Sequence, residues 1–316
     1  MLKRLAEKDK LVYLGLLIGV VYGLVTRFVF GREATLVSLA YLFLVPAVLG
    51  IIPLVFADDK QIKSYRTIIF VPWLTVASAF LMMYLLGWEE SLCFLVLGGP
   101  FFMVSTIAAL VYRLIRIHKD KKRNALLTVI LIPFLFSPIE EAFKSPSQIY
   151  TVTSEVEINS TPDYVWSNII RVPKIKDSEY QAGYFNHLGV PRPTEAVLAE
   201  EKLGALRIGH FEGGLTFIEH ITDWQPNKRV SFDIIVDPKT IRNRVFDKHV
   251  LAGDYFNFVN ATYEIETINH KQLKLRLVSS YRLTSKINFY NKFWGDLFLH
   301  DFQDRLLAVI KLRCDK

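Results

Sequence analysis

The run YTVTSEVEINSTPDYVW, residues 150–166, decides the fold of the second half of this 316-residue chain. Tyr150, Val152, Val156 and Ile158 alternate with Thr151, Thr153, Glu155 and Glu157, the period-two pattern of a strand buried on one face. Asn159-Ser160-Thr161-Pro162-Asp163 then supplies capping side chains and a proline suited to a first helical turn, ahead of Tyr164, Val165, Trp166 and Ile169. A strand therefore runs straight into a short helix.

Downstream, strands are predicted over 195–200, 205–211, 215–224, 229–236, 259–266 and 273–283. Gly204, Gly213-Gly214, Pro226-Asn227, Asp237-Pro238 and Asn269-His270 separate them. Only the connection 237–257 is long enough for a crossover, so the pairing is antiparallel. Phe289, Phe293, Leu297, Phe302, Leu306, Val309 and Ile310 recur at helical spacing and predict a closing helix over 288–311. Strand, helix, six strands and long helix is an α+β order.

Upstream the pattern is different. Apolar runs over 11–30, 34–57, 67–87 and 91–112 are each long enough to cross about 30 Å of hydrocarbon and predict four spans. A fifth run, 125–139, holds Pro133 and Pro138 and extends only about 22 Å as a helix. The basic N-terminus (Lys3, Arg4, Lys8, Lys10) imitates a signal peptide. The apolar run behind it is too long and lacks a small-residue cleavage site, so it reads as an uncleaved span. Arg27 reads as snorkelling to the interface. Gly98-Gly99-Pro100 reads as either a broken helix or close helix packing.

The formal net charge of +7 is concentrated here: residues 1–146 carry 16 Lys and Arg against 10 Asp and Glu, and residues 147–316 carry 22 against 21. Membrane topology accounts for that imbalance, so no nucleic-acid partner is expected. The loops 58–66 and 113–123 are basic, whereas Gly31-Arg32-Glu33 and Gly87-Trp88-Glu89-Glu90 are not, which puts the N-terminus in the cytoplasm of a plasma (inner) membrane. The second half is expected to be extracytoplasmic, with the fifth run spanning; it is cytoplasmic if that run does not span. The domains expected are a transmembrane helical domain (1–143), a linker (144–149) and an α+β domain (150–316).

The order of elements, the opening Val156-x-Ile158-Asn159-Ser160-Thr161-Pro162-x-x-Val165-Trp166 and the stretch Phe217-x-Glu219-x-Ile221-Thr222-x-Trp224-x-Pro226 resemble the START-like or SRPBCC superfamily, the helix-grip fold named in part for polyketide cyclases. Phe211-Glu212-Gly213-Gly214-Leu215-Thr216-Phe217 is similar to bacterial members with a membrane segment in front. The resemblance covers roughly 150–313. It implies a curved antiparallel sheet around the long helix and an apolar cavity between them for a lipid, sterol, polyketide or other hydrophobic molecule.

The cavity face can be read from the residues themselves. Gly213-Gly214 reads as a two-residue hairpin loop, which pairs Glu212 with Leu215, His210 with Phe217, Ile208 with Glu219 and Leu206 with Ile221. One face then carries Leu206, Ile208, His210, Glu212, Leu215, Phe217, Glu219 and Ile221. The other carries Arg207, Phe211, Thr216, Ile218, His220 and Thr222. The first is the more apolar and is the expected ligand face, although a slip of one residue reverses every assignment. Phe289, Phe293 and Leu297 of the last helix, with Trp294, Phe298 and Phe302, are expected to complete the lining.

An acid on an apolar face must be protonated or paired, so Glu219 is the best candidate for chemistry, with His210 as its companion. His249 and Asp254 fall in the connection 237–257, a candidate lid. No metal site is expected: the histidines form no ligand-like pairs, and Cys93 and Cys314 stand apart from them. Neither a nucleophile elbow nor a phosphate-cradling glycine loop is present, and no cofactor is implied.

The function expected is membrane-anchored, non-catalytic binding of a hydrophobic small molecule or lipid. Two alternatives stay open. One is a cyclase or dehydratase using Glu219 as acid or base, and the other is a regulatory or structural membrane module.

Overall fold

The computed structural model describes residues 2–34, 38–118, 125–269 and 271–315. It divides the chain into two units, Met1–Ser145 and Pro146–Lys316. Lys119, Lys121, Lys122 and Arg123 of the orientation argument, and His270, lie outside the described residues.

The first unit is helical: α1 (Leu2–Ala34), a π-turn over Ala40–Leu44 leading into α2 (Val45–Val55), α3 (Asp59–Lys63), α4 (Tyr65–Leu85), α5 (Ser91–His118) and α6 (Ala125–Glu141). Three stretches, Lys10–Gly31, Tyr65–Leu85 and Ser91–His118, are long and apolar enough to cross a membrane. Four were expected. Among the described residues of the run predicted over 34–57, the apolar helix is Ala40–Val55, about 24 Å. Its end is set by polar chemistry rather than hydropathy. The Asp58 carboxylate accepts from the Gln61 backbone N–H (2.8 Å), while the Gln61 side chain accepts from the Asp58 N–H (2.8 Å), a capping box that starts α3.

Two further expectations fail in this unit. Arg27 does not reach outward; its side chain is buried and ion-paired with Glu89. Gly98 and Gly99 sit inside an unbroken α5, and a Cβ on either would meet nothing within 4 Å, so neither a break nor close packing explains them. The close approach is at Gly50, where a Cβ would lie 2.3 Å from the Ser105 carbonyl oxygen of α5.

The second unit is a curled antiparallel half-barrel of seven strands with α10 (Asn288–Cys314) packed on it. The strands are β1 (Ser147–Ile158), β2 (Pro193–Leu198), β3 (Leu206–Phe211), β4 (Thr216–Gln225), β5 (Arg229–Val236), β6 (Phe256–Asn269) and β7 (Gln272–Thr284), in the order β1-β7-β6-β5-β4-β3-β2. α7 (Pro162–Ile170) follows β1 with Pro162 in its first turn, as its sequence dictates. Two short helices escape the periodicity analysis: α8 (Tyr184–His187), and α9 (Val245–Leu251) inside the long connection.

Antiparallel order sorts the connections to two ends of the sheet. The start of β1, the β3–β4 hairpin, the β5–β6 connection and the start of α10 share one end, because Ser147 pairs with Thr284, Phe256 with Leu283 and His210 with Thr216. The core fills the other end with Ile158, Val165, Ile169, Leu273, Leu275, Leu307 and Ile310. At the first end the sheet parts, since β5–β6 pairing stops at Asp233↔Asn260 although both strands continue.

The hairpin register differs from expectation by one residue. The loop holds three residues, Glu212-Gly213-Gly214, with the Phe211 N–H donating to the Leu215 carbonyl (2.8 Å). Gly213 (φ 72°) and Gly214 (φ 82°) supply the left-handed conformations it needs. Gly209 therefore pairs with Phe217 and Arg207 with Glu219. Every β3 residue moves to the opposite face.

Candidate functional site

The half of the sheet nearest the hairpin end encloses a cavity of about 70 Å³ between β2–β7 and α10. Its walls are apolar: Phe211, Phe217, Phe258, Ala261, Leu299, Phe302 and Leu306 are among them. The aromatic side is continuous, with ring centroids 4.5 Å apart for Phe211 and Phe217, 5.1 Å for Phe217 and Phe258, and 6.0 Å for Phe211 and Phe302. The space would hold about five water-sized groups.

Arg207 and Glu219 put charge into this wall. Both are more than nine-tenths buried, and they pair through Arg207 Nη1 and Glu219 Oε2. The guanidinium also donates from Nε to the Ile170 carbonyl (3.1 Å) and from Nη2 to the Ile169 carbonyl (3.1 Å). Those carbonyls close α7, where the helix dipole favours a cation. Phe232 lies beneath the guanidinium carbon, 4.8 Å from it. Glu219 Oε1 lies over Gly209, and a Cβ there would come within 3.1 Å of it. The Glu219 carboxyl is thus held in the wall by the Arg207 guanidinium.

Besides Arg207 and Glu219, the polar residues Glu195, His210, Tyr263 and Ser279 line the space. Tyr263 lines it, and burial pushes its hydroxyl up to about 12, so it stays a neutral phenol. Ser279 lines it as well and accepts from Gln303 Nε2 (2.9 Å), which also donates to the Val152 carbonyl (3.2 Å). Gln303 Oε1 is buried and finds no partner among the described residues.

The sequence-derived candidates divide as the register and the helix phase require. Phe217 and Glu219 line the cavity; Leu215, just before β4, is buried, and Ile221 belongs to the core beyond it. From β3, Leu206 is 44% exposed, Ile208 does not line the cavity, and Glu212 stands in the loop paired with Arg192 (2.6 Å). His210 touches the cavity edge, but its register partner is Thr216, not Phe217. The slip puts Arg207, Gly209 and Phe211 in the places expected for Ile208, His210 and Glu212.

On α10, Phe289, Phe293 and Leu297 point away from the cavity and are exposed. Leu299, two positions beyond Leu297 and so more than half a turn around, begins the cavity side, and Phe302 follows on it. Phe298 instead packs on Phe185 (4.3 Å) and Phe246 (5.7 Å).

The long connection is pinned at several points. Arg242 binds Asp247 through two bonds (2.5 and 2.9 Å) and donates to the Gly189 carbonyl (2.9 Å), and Arg244 reaches the same carbonyl (3.2 Å). Thr240 Oγ1 accepts from the Thr216 N–H (3.0 Å). His249 lies on α9, and Asp254 just before β6. Arg207 was missed as a site residue because a lone arginine in an alternating strand reads as solvent-facing. Only the three-residue loop, signalled by Glu212-Gly213-Gly214, turns it inward.

No protein-family model matches the chain, and no curated protein matches it. Among solved structures it is similar to an uncharacterised protein from Rhizobium leguminosarum, with 12% identity and a TM-score of 0.33, covering 53% of this chain and 95% of that one. It is similar also to truncated norcoclaurine synthase from Thalictrum flavum (12% identity, TM-score 0.32, 52% of this chain and 94% of that one). A third is the Zhui aromatase/cyclase from a Streptomyces species (13% identity, TM-score 0.33, 52% of this chain and 94% of that one).

Proposed function

We propose that the chain is a membrane-anchored, non-catalytic binding protein of the START-like type, which holds the apolar part of a small molecule or lipid in the β2–β7/α10 cavity. The observation that carries this reading is a largely apolar pocket whose buried ion pair, Arg207–Glu219, is satisfied within the protein. An apolar group can enter without stranding a charge. At about 70 Å³ the cavity takes a chain end, and a larger ligand enters by widening the gap between β5 and β6 beyond Asp233 and Asn260. Catalysis by Glu219 gains nothing from a carboxylate already held by a guanidinium.

The orientation we favour has the N-terminus cytoplasmic and the second unit on the opposite side. Arg113 Nε donates to the Ile62 carbonyl (3.1 Å) and Arg116 Nη1 to the Leu54 carbonyl (3.1 Å), which gathers the basic loops at one end of the helical unit. Near the end of α6, the Glu140 carboxylate accepts from Ser38 Oγ (2.9 Å) and from the backbone N–H groups of Leu39 (2.6 Å) and Ala40 (3.0 Å), ahead of α2. Leu54 and Ala40 are at opposite ends of the same helical run, so α6 finishes at the end away from the basic loops. This supports α6 as a crossing despite its two prolines.

The test is native mass spectrometry of the full-length protein released from detergent, with extraction of what it carries. Wild type is expected to retain a stoichiometric apolar adduct that Ala261→Leu, which fills the cavity, loses. Equal adduct masses in the two proteins would overturn the reading.

A further inference from the structure

The start of α10 carries an apolar stripe that is exposed among the described residues. Phe289, Phe293 and Leu297, spaced four apart, are 69%, 55% and 39% exposed. Burial at a core explains Leu299, Phe302 and Leu306 on the other side of the helix but not these three. An exposed aromatic stripe of this kind marks an interaction surface.

Its place in the second unit identifies the partner. Asn288 Nδ2 donates to the Pro146 carbonyl (2.8 Å), and Thr284 Oγ1 bonds Ser147 Oγ (3.1 Å), so the first turn of α10 is tied to the residues where the chain enters this unit. α6 ends at Glu141, leaving residues 142–145, which extend at most about 17 Å. The stripe is therefore held within a short leash of the last apolar helix. Lys292 within the stripe is ion-paired with Asp296, and Phe143, on the leash itself, is 68% exposed. Exposed aromatic and aliphatic side chains on one helix face are what the headgroup boundary of a bilayer accepts. The end of the sheet that parts beside Asp233 and Asn260 is this same end.

Resting on the membrane-anchored reading above, we infer that Phe289, Phe293 and Leu297 form a lipid-docking face that beds the start of α10 into the bilayer surface and turns the cavity end of the sheet toward the membrane. A ligand then passes between bilayer and cavity without crossing bulk water.

The test uses the full-length chain in nanodiscs of phosphatidylcholine and phosphatidylglycerol, spin-labelled at Phe289→Cys, Phe293→Cys or Leu297→Cys. Cys93 and Cys314 are buried, so the label goes to the introduced thiol. Leu203→Cys serves as the aqueous reference: Leu203 is 61% exposed and lies in the β2–β3 connection, at the other end of the strands. Leu81→Cys, within Tyr65–Leu85, is the lipid reference. The stripe labels are expected to collide with oxygen several-fold more, relative to a water-soluble nickel chelate, than the Leu203→Cys label does. Stripe labels that match Leu203→Cys while Leu81→Cys reads as lipid would overturn the docking face alone. Spin–spin broadening between copies without oxygen preference would also overturn it, in favour of a second chain. An aqueous reading at Leu81→Cys as well would remove the anchoring and the docking face together.

Discussion

Arg207 and Glu219 are direct cross-strand partners on β3 and β4, and their side chains form a buried ion pair in the cavity wall. The pair depends on both partners. Arg207→Ala would strand the Glu219 carboxylate and the last carbonyls of α7, a loss expected at about 3–5 kcal/mol. Replacing both at once, as Arg207→Met with Glu219→Leu, should restore much of it, since no charge is then left in the wall. Urea titration of wild type, Arg207→Met, Glu219→Leu and the double variant closes the double-mutant cycle and measures the coupling. Additive losses would show that the pair contributes nothing.

The second unit should fold without the helices. Expressed as residues 146–316, it is expected to be monodisperse and to unfold in one cooperative step by circular dichroism. A molten, dye-binding product would show that its core is incomplete alone.

Ala261 lines the cavity from β6, where it pairs with Phe232 and Ser279. Ala261→Leu adds three carbons to a space of about 70 Å³. Stability should change by less than about 1.5 kcal/mol, because a void is filled rather than a packed site strained. Binding of an apolar fluorophore should fall sharply in the same protein, and unchanged fluorescence would move the binding site elsewhere.

Glu179 gives a pH test. Its carboxylate accepts from Arg313 Nε (3.0 Å) and Nη2 (2.8 Å), and that pairing, with the Lys176 N–H, holds it down at about 2. A carboxyl lowered by folding adds stability above its unfolded value of about 4.3, and that contribution is lost as pH falls toward 2. Wild type should exceed Glu179→Gln by about 1 kcal/mol or less at pH 7, the bond being partly screened by solvent. The gap should close between pH 4 and pH 2 in thermal melts.

Gly50 and Gly98 should respond oppositely to alanine. At Gly50 the new Cβ meets the Ser105 carbonyl oxygen at 2.3 Å, and backbone must move; at Gly98 it meets nothing. Gly98→Ala should be neutral or gain up to about 1 kcal/mol from helix propensity. Gly50→Ala should lower the melting temperature of the detergent-solubilised protein. The reverse order would contradict the α2–α5 packing.

Much of the second unit was legible because alternation in residues such as Tyr150 to Ile158 has one physical cause, a face against a core. Its hairpin was not, since Gly213-Gly214 fits a two-residue loop as well as the last two places of a three-residue one, and that single residue decides whether Arg207 or Ile208 faces inward. α10 was legible in extent but not in phase. Aromatic residues ring it, so Phe293 and Phe302 look alike in sequence, though one is exposed and the other lines the cavity. In the first unit, hydropathy gave the apolar runs but not the stop of α2 ahead of Asp58, where a capping box with Gln61 starts α3. The pairings Arg27–Glu89 and Arg207–Glu219 join distant or oppositely read positions, which no local pattern reveals.

The bond from Asn288 to the Pro146 carbonyl has a mechanical meaning. Tension carried along residues 142–145 enters the second unit at the first residue of β1, an edge strand. Tension there peels rather than shears, breaking bonds one at a time from Ser147 onward. The Asn288 amide stands ahead of that line, as the stitch that must give way before the seam can run.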